Sequence, residues 1–316
     1  MRETAISFGT ENTLVGIITD PSSRRPSLGE IGVILLNAGV LHRVGPGRIY
    51  VKIARQLAAI GLTVLRFDFS GIGDSKPRRD SLPFERSSIE ETQRAMDFLE
   101  AERGIRRFIL IGGCSGARVS FAAAACDPRI AGAILINFQV TPDRYRGKGT
   151  QEDKRKDEHY YLRFAIRSVQ SWRKFLAGGA EYRKIAGAVV SRLRHKFGVR
   201  NSPPSPEWLA FRKDLNALID CGIRLVFVCS AGDPALDELR EAGGSNMELL
   251  CSRNKMEVVV IARSDHTFSS LCDQERVIKV LEQKSSEIAQ IALSPASPWS
   301  PPSDHLRGNI ASVTQV

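Results

Sequence analysis

Short apolar runs recur along most of this sequence and alternate with stretches of helical periodicity. Six of these runs fall between residues 33 and 263, and each is seven to nine residues long. Runs of that length with few charges are typical of strands buried on both faces, as in a parallel sheet covered by helices. The sequence therefore predicts an α/β fold with a mostly parallel, doubly wound sheet. The predicted strands are VILLNAG (33–39), LTVLRFDF (62–69), RFILIGG (107–113), AGAILINF (131–138), RLVFVCSAG (224–232) and MEVVVIAR (256–263).

Helical periodicity appears between the first strands, in residues 50–61, 88–104 and 117–127. Gly61 and Gly104 end the first two of these stretches, and glycine is common just past the end of a helix. Before the first long run, the segments AISFGT and LVGIITD predict an antiparallel hairpin at the start of the chain.

Composition narrows the class of protein. A chain of 316 residues with 42% hydrophobic and 25% charged residues is typical of a globular protein with a sizeable core. Charges interrupt the first twenty residues, where we expect neither a signal peptide nor a spanning helix, and hence a cytoplasmic protein. The six cysteines lie singly, without a CxxC pair, so we expect neither disulfides nor a metal site, and no cofactor is implied.

The regular order breaks after Phe138, where a long segment replaces the expected short connection. Between Thr141 and Asp214 there are 18 Lys and Arg against 8 Asp and Glu, while the rest of the chain is balanced at 27 against 27. A long insertion in a compact fold is usually functional, for example as a lid. We expect a core of residues 1–138 and 221–290, a basic helical cap at 139–220, and a Ser- and Pro-rich disordered tail at 291–316.

One junction between a strand and a helix carries the pattern of a nucleophile elbow. Its sequence is FILIGGCSGA, an apolar strand followed by a Gly-rich turn and a helix. In that context a G-x-S-x-G-like motif lifts a nucleophile above the edge of the sheet. Two registers are open, with Cys114 or Ser115 as the nucleophile. The Cys114 register fits better, because Gly112 and Gly116 then occupy the two small positions.

The Ser115 register would put Arg118 at the close-packing position after the elbow and Phe121 where a small residue is expected. A third interpretation is that Cys114 is only a packed, buried thiol. If Cys114 is the nucleophile, the dipole of the helix that begins at the turn favours the thiolate, which attacks an acyl carbon.

Such a nucleophile is served by an acid and a base that follow later strands, in the chain order nucleophile, acid, base. Asp233 follows the fifth apolar run and His266 follows the sixth. Asp233 is preferred to Asp237, which we expect on the next helix, although an Asp in a Gly-Asp-Pro turn is often only a turn residue. Among the five histidines, His266 is the one that follows a late strand, where the base is expected. The alternative interpretation of His266 is a solvated loop residue without a catalytic role. We expect the neighbouring Asp265 to point away.

Acyl transfer also needs hydrogen-bond donors where negative charge develops on the carbonyl oxygen. One donor is the backbone N–H of the residue after the nucleophile, here Ser115, and another comes from the loop after an early strand. That loop contains NAGVLHRVGPG, and the N–H of Gly39 or of Val40 is the second candidate. The sequence leaves open which of the two donates.

These motifs together resemble the α/β-hydrolase superfamily over residues 31–272. The resemblance implies an α/β-hydrolase fold with the cap inserted after the strand at 131–138, and a Cys-His-Asp triad comparable to that of dienelactone hydrolases. The stretch HYYLRFAIRSVQSWRKFLAGG is similar to bacterial hydrolases of the serine aminopeptidase-like group, including those associated with exosortase systems. In place of the commoner His-Gly oxyanion motif this chain has Asn37, Ala38 and Gly39. The motifs in chain order are LLNAGVLHRVGPGRIYVKIARQLAAIGLTVLRFDFSGIGDS, LIGGCSGA, GDPALDE and SDHTF.

An acyl hydrolase, either an esterase or a thioesterase, that forms a covalent acyl-enzyme on Cys114 is the favoured function. Three alternatives stay open: an acyltransferase that uses the same acyl-enzyme in biosynthesis, a carboxylesterase based on Ser115, and a catalytically silent binding scaffold.

The basic segment has three interpretations. It steers an anionic or carrier-linked acyl substrate, such as one on phosphopantetheine or coenzyme A, or it holds the protein near anionic lipid, or it is a solvated helix surface. No nucleic-acid-binding motif accompanies the charge, so nucleic acid is not an expected partner. The sequence indicates no oligomeric state.

Overall fold

The structure is a computed structural model that describes residues 1–22, 30–141 and 205–294. Within these residues it contains eight strands and six α-helices, which we number in chain order. The strands are β1 (Arg2–Phe8), β2 (Leu14–Asp20), β3 (Ile31–Leu36), β4 (Thr63–Phe67), β5 (Arg107–Gly113), β6 (Ile130–Ile136), β7 (Arg224–Ser230) and β8 (Met256–Ile261). The helices are α1 (Ile49–Ala59), α2 (Phe84–Arg103), α3 (Ser115–Ala124), α4 (Pro206–Asp220), α5 (Pro234–Ser252) and α6 (Leu271–Leu293).

The eight strands form one sheet in the order β1-β2-β4-β3-β5-β6-β7-β8. Strand β2 pairs antiparallel with β1 and with β4, and the remaining pairs are parallel. The six strands predicted from apolar runs and the leading hairpin are therefore confirmed. Because β3 to β8 run in one direction, their carboxyl ends share one edge of the sheet.

Helices cover both faces of the sheet, which explains why its strands are continuous apolar runs. Every residue of β3 is buried. Val33 and Leu35 pack in one cluster with α1 and α6, whereas Ile34 and Leu36 pack in a second cluster with α2 and α3. The alternation follows from the two-residue period of a strand. Hydrophobic packing on both faces therefore fixes the position of the sheet, including the edge formed by the carboxyl ends of its parallel strands.

Glycines end the first two long helices, as predicted. Gly104 caps α2 in the left-handed conformation, with φ of 70°, and its N–H donates to the carbonyl of Glu100. Gly61, just past α1, has φ of 106°. None of the described helices combines the length and the apolar character that crossing a membrane would require.

The chain divides into a unit of residues 1–140 with 205–316 and a second unit of residues 141–204. Helix α4 belongs to the first unit and buries Phe211, Leu215 and Leu218 in its core. The predicted cap, 139–220, thus includes a helix that packs with the sheet, because α4 has an apolar face of its own. Residues 142–204 lie outside the described residues.

The predicted tail, 291–316, begins inside a helix, since α6 continues to Leu293. Ala292 is buried against the sheet, which explains why the helix extends past the predicted boundary. The rest of the predicted tail, from residue 295, lies outside the described residues.

Candidate active site

Three predicted site residues follow parallel strands at the same edge of the sheet. Cys114 comes directly after β5, Asp233 comes three residues after β7, and His266 comes five residues after β8. Since these strand ends share one edge, residues far apart in sequence meet there. The structure brings the three side chains together.

The elbow between β5 and α3 is centred on Cys114. Its backbone has φ of 54° and ψ of −115°, and its N–H donates to the carbonyl of Ile136 at 2.9 Å. A non-glycine residue in so sparsely populated a region costs of order 1–3 kcal/mol, which the surrounding structure must offset. Ser115 is instead the first residue of α3. The sharp turn therefore projects the Cys114 side chain above the sheet edge.

Glycine is required on both sides of this turn. A Cβ on Gly112 would lie 2.2 Å from the backbone C and O of Gly116, and a Cβ on Gly116 would lie 2.5 Å from the carbonyl oxygen of Asn37. These distances are far below van der Waals contact, and the atoms met are backbone atoms that side-chain rotation cannot move. The two small positions predicted for the Cys114 register are therefore positions of close backbone approach.

Asp233 pairs with His266 through the carboxylate Oδ2 and the imidazole Nδ1. The side chain of Asp233 is 2% exposed, whereas that of His266 is 36% exposed. Asp233 is also the N-cap of α5, where its Oδ1 accepts the N–H of Ala235 at 2.8 Å. One carboxylate oxygen of Asp233 thus caps the helix, and the other pairs with His266. Since Nδ1 pairs with Asp233, Nε2 is the ring nitrogen that is available for proton transfer.

The environment of His266 favours its protonated form. The Asp233 carboxylate hydrogen-bonds the ring, and this carboxylate and the Cys114 side chain together raise the pKa of His266 to about 10, against the opposing effect of burial. A histidine with that pKa carries its proton at neutral pH. Cys114 therefore faces an imidazolium.

Buried polar side chains hold the loop that carries His266. Asn137, just after β6, donates from Nδ2 to the His266 carbonyl at 2.8 Å, and its Oδ1 accepts the N–H of Ser230 at 2.7 Å. Ser230 donates from Oγ to the Asp265 carbonyl at 2.7 Å. The Asp265 carboxylate accepts the N–H of Thr267 at 2.9 Å and the N–H of Ser269 at 3.1 Å. The backbone on both sides of the imidazole is thereby fixed.

The two predicted oxyanion loop residues differ in position. The N–H of Gly39 donates to the Ser115 Oγ at 2.8 Å, so this loop reaches the residue that follows Cys114. Gly39 has φ of 60°, which favours glycine there. The side chain of Val40 is 87% exposed. The structure therefore brings Gly39 and Ser115 together.

A family model described as the alpha/beta hydrolase fold matches residues 33–185 of this sequence. The chain has the α/β-hydrolase fold. The strand order agrees with that fold and with the predicted fold class. No curated protein sequence matches the chain.

Solved structures share this fold with the chain. An esterase from Pyrococcus furiosus is 14% identical with a TM-score of 0.53, and the match covers 92% of each chain. A proline iminopeptidase from Mycobacterium smegmatis is 16% identical with a TM-score of 0.52, over 92% of this chain and 100% of that one. A dienelactone hydrolase from Anabaena variabilis ATCC 29413 is 14% identical with a TM-score of 0.50, over 90% and 97%. At these identities the likeness concerns the α/β-hydrolase fold.

Sequence reasoning missed the buried residues that brace this candidate site. Asn37, 2% exposed, donates from Nδ2 to the Leu41 carbonyl at 2.8 Å and to Asp68 Oδ1 at 3.1 Å, while its Oδ1 accepts the N–H of Phe69 at 2.9 Å. These bonds close the loop of residues 38–41 and tie it to the end of β4. An Asn or Asp inside an apolar run was the available signal, since a buried polar group needs a partner.

Tyr50 was missed for a different reason. It lies in the first turn of α1, 3% exposed, and its hydroxyl donates to the Leu36 carbonyl at 3.0 Å and accepts the Gly113 N–H at 3.1 Å. Burial raises the pKa of Tyr50, so the phenol keeps its proton. Tyr50 thus joins the end of β3 to the residue before the nucleophile candidate.

One group of side chains in the described residues has the composition of a cation site. Ligand atoms of His42, Asp68 and Asp74 all lie within 4.8 Å of one another. However, the Arg43 guanidinium pairs with both carboxylates, and its Nη2 is 2.7 Å from Oδ2 of Asp74. The Nη1 of Arg43 also lies 2.8 Å from Nε2 of His42. An arginine already supplies the positive charge there, so the group fits a brace for residues 37–45 better than a metal centre.

Proposed function

We propose that this chain is an acyl hydrolase, an esterase or thioesterase, that works through a covalent acyl-enzyme on Cys114. The observation that carries the proposal is the meeting of three groups at one edge of the sheet. These are a thiol at the elbow position, an imidazole whose pKa that thiol helps to raise, and a buried carboxylate that pairs with the Nδ1 of the imidazole. A nucleophile, a base and a group that orients the base are the parts that nucleophilic acyl transfer needs.

In the first step the Cys114 sulfur attacks the acyl carbon. The thiolate is the attacking form of a cysteine, and the protonated His266 holds the proton that the leaving group will need. A C–S bond forms, and the electron pair of the carbonyl π bond moves to oxygen. When that pair returns, the bond to the leaving group breaks, and His266 gives the leaving alcohol or thiol its proton through Nε2. Asp233 keeps the ring in the tautomer and orientation that this transfer needs.

The second step removes the acyl group from sulfur. Neutral His266 takes a proton from water, the water oxygen bonds to the acyl carbon, and the carbonyl pair again moves to oxygen. Collapse of this intermediate breaks the C–S bond, releases the carboxylic acid and restores the thiolate and imidazolium. An alcohol or amine in place of water would give the acyltransferase reaction by the same route.

Two observations support a thiol rather than a serine nucleophile. The positive φ of the elbow and the close approaches of Gly112 and Gly116 belong to the register centred on Cys114. The Ser115 hydroxyl, one residue into the helix, has a hydrogen bond from the Gly39 N–H instead.

Substrate class is the finer part of the proposal. The esterase and dienelactone hydrolase among the matched structures act, by their names, on ester bonds, which is the reaction class proposed for this chain. The segment between residues 141 and 214 contains 18 basic residues against 8 acidic ones, which supports an anionic or carrier-linked acyl substrate. The narrower membership, in the serine aminopeptidase-like and exosortase-associated group, depends on the segment 159–179 and is part of this proposal.

The test is mass spectrometry of the protein after incubation with p-nitrophenyl esters and acyl thioesters of increasing chain length. We expect an adduct of acyl mass that maps to Cys114, is released by neutral hydroxylamine as a thioester would be, and is absent from Cys114→Ala. Release of free acid in buffer alone supports a hydrolase, whereas turnover only with an added amine or alcohol supports a transferase. An adduct that maps to Ser115 and persists in Cys114→Ala would overturn the thiol nucleophile. Absence of any adduct would favour the silent scaffold.

A further inference from the structure

The hydrogen bond between Gly39 and Ser115 leaves one expected oxyanion donor already engaged. The Gly39 N–H, a candidate for the second donor, points at Ser115 Oγ at 2.8 Å. A backbone N–H has a single hydrogen, so while this bond exists it is not directed at a substrate oxygen. The loop that would contribute this donor therefore hydrogen-bonds the side chain of the residue that follows the nucleophile candidate.

A serine hydroxyl that accepts a hydrogen bond still has its own hydrogen to donate. It carries one O–H and two lone pairs, and the Gly39 N–H uses one lone pair. Bonds in such a chain polarise one another, so the N–H makes the hydroxyl a stronger donor. Ser115 directly follows Cys114 in the chain and lies in the first turn of α3. Its own backbone N–H is the other candidate oxyanion donor.

We infer that the Ser115 hydroxyl supplies the second oxyanion donor, with Gly39 acting through it. This inference rests on the proposed Cys114 acyl-enzyme and adds a catalytic residue to it. When the carbonyl pair moves to oxygen, the charge is held by the Ser115 N–H and the Ser115 O–H, and the O–H keeps its proton throughout. Gly39 is then a positioning residue, whose N–H orients and polarises the hydroxyl.

The loop is built to hold that arrangement. Asn37 fixes residues 38–41 through the Leu41 carbonyl, and the buried Asp68 accepts the N–H of Arg43 at 2.6 Å. The Gly39 N–H is therefore presented from a braced turn, as a preorganised donor requires. The chain has Asn37-Ala38-Gly39 in place of a His-Gly motif, and in the inferred arrangement Ser115 supplies both donors while this loop only orients the Ser115 hydroxyl.

The experiment compares two reactions of Cys114 in wild type, Ser115→Ala and Ser115→Thr. Acylation by a p-nitrophenyl ester develops an oxyanion, whereas alkylation by iodoacetamide displaces iodide from carbon and develops none. Loss of one oxyanion donor costs about 10²- to 10³-fold in rate. We expect that loss in acylation for Ser115→Ala, with Cys114 alkylation within about threefold of wild type, and substantial recovery in Ser115→Thr, which keeps a hydroxyl. Peptide mapping follows Cys114 alone, since five other cysteines are present.

Other outcomes would overturn the inference. Unchanged or faster acylation in Ser115→Ala would mean that the hydroxyl only covers the Gly39 donor. An equal loss in both reactions would mean a structural role at the elbow, and a loss that Ser115→Thr does not recover would exclude the hydroxyl as the donor. Failure of the proposed function looks different, because Cys114→Ala would then still be acylated.

Discussion

The backbone contact between Gly112 and Gly116 gives a stability test of which residue sits at the elbow. In Gly112→Ala the new Cβ would lie 2.2 Å from backbone atoms of Gly116 and 2.7 Å from the nitrogen of Ala117. Ordinary contact begins at 3.4 Å, so β5 and α3 would have to separate by at least about 1 Å in a close-packed interior. The neighbouring Gly113 is a matched control, since its Cβ would be 3.3 Å from the Tyr50 hydroxyl and 3.7 Å from the Ala38 Cβ.

Overpacking of a core costs about 1–3 kcal/mol and occasionally more, and we expect Gly112→Ala at the upper end because its obstacle is backbone. With about 2–4 °C lost per kcal/mol for a domain of this size, the melting temperature should fall by roughly 5–10 °C. For Gly113→Ala the lost freedom of the unfolded chain offsets the tight contact, so its free energy of unfolding should stay within about 1 kcal/mol of wild type.

Urea denaturation followed by circular dichroism gives both free energies of unfolding, and thermal melts give an independent ranking. The same variants, assayed for acylation by a p-nitrophenyl ester, should keep the same order, because displacement of α3 moves Cys114. If Gly113→Ala proved as destabilising as Gly112→Ala, or more so, the elbow would not be centred on Cys114. The register with Ser115 at the turn would then explain the data better.

Four further predictions concern the groups around the elbow. Asp233→Asn removes the largest cause that raises the pKa of His266 to about 10, so the titration midpoint of His266 in a histidine-selective NMR experiment should move well below 10. In the wild type the pairing of His266 with Asp233 stabilises the fold fully below pH 6.5, and that stabilisation is lost as the pH rises from 6.5 to about 10. Tyr50→Phe leaves the buried Gly113 N–H and Leu36 carbonyl without their hydroxyl partner and should lower the free energy of unfolding by about 1–3 kcal/mol in urea. Asn37→Asp should destabilise the protein more than Asn37→Ala in the same assay, because a second carboxylate would face Asp68. If the basic segment steers carrier-linked substrates, kcat/KM for an acyl-coenzyme A should fall as the Debye length shortens from about 30 Å to about 10 Å between 0.01 and 0.1 M salt, with no matching fall for an uncharged ester.

Strand ends could be located from the sequence because an apolar run in a parallel sheet stops where the chain leaves the core. That is why Cys114, Asp233 and His266 could be assigned to one edge before any contact was known. Tyr50 could not be identified in this way, because it lies on the apolar face of α1 and has the pattern of an ordinary core residue. Its role depends on two distances, to Leu36 and to Gly113, that no local pattern contains.

Polar residues inside apolar runs carried more information than the periodicity that surrounds them. Asn37, Asp68 and Asn137 each end a buried run, and burial of an amide or carboxylate is costly without hydrogen-bond partners. The sequence could therefore predict that each is bonded, but not to what, because Asn37 meets the end of β4 and Asn137 meets the loop after β8. Partners of this kind depend on strand order, which the apolar runs leave open.

Asn37, Tyr50 and Asn137 bond to backbone atoms around the candidate site, and this determines what a change of the nucleophile atom would measure. Asn137 holds the carbonyl of His266, Tyr50 holds the N–H of Gly113, and Asn37 holds the loop that carries Gly39. None of these bonds involves the Cys114 sulfur, so the elbow geometry does not depend on whether the nucleophile atom is sulfur or oxygen. A misplacement of about 1 Å can cost about 10²-fold in rate, so a site braced independently of its nucleophile isolates the chemistry of that atom. The difference between Cys114 and a serine at the same position is then a difference in nucleophile and leaving group, not in architecture.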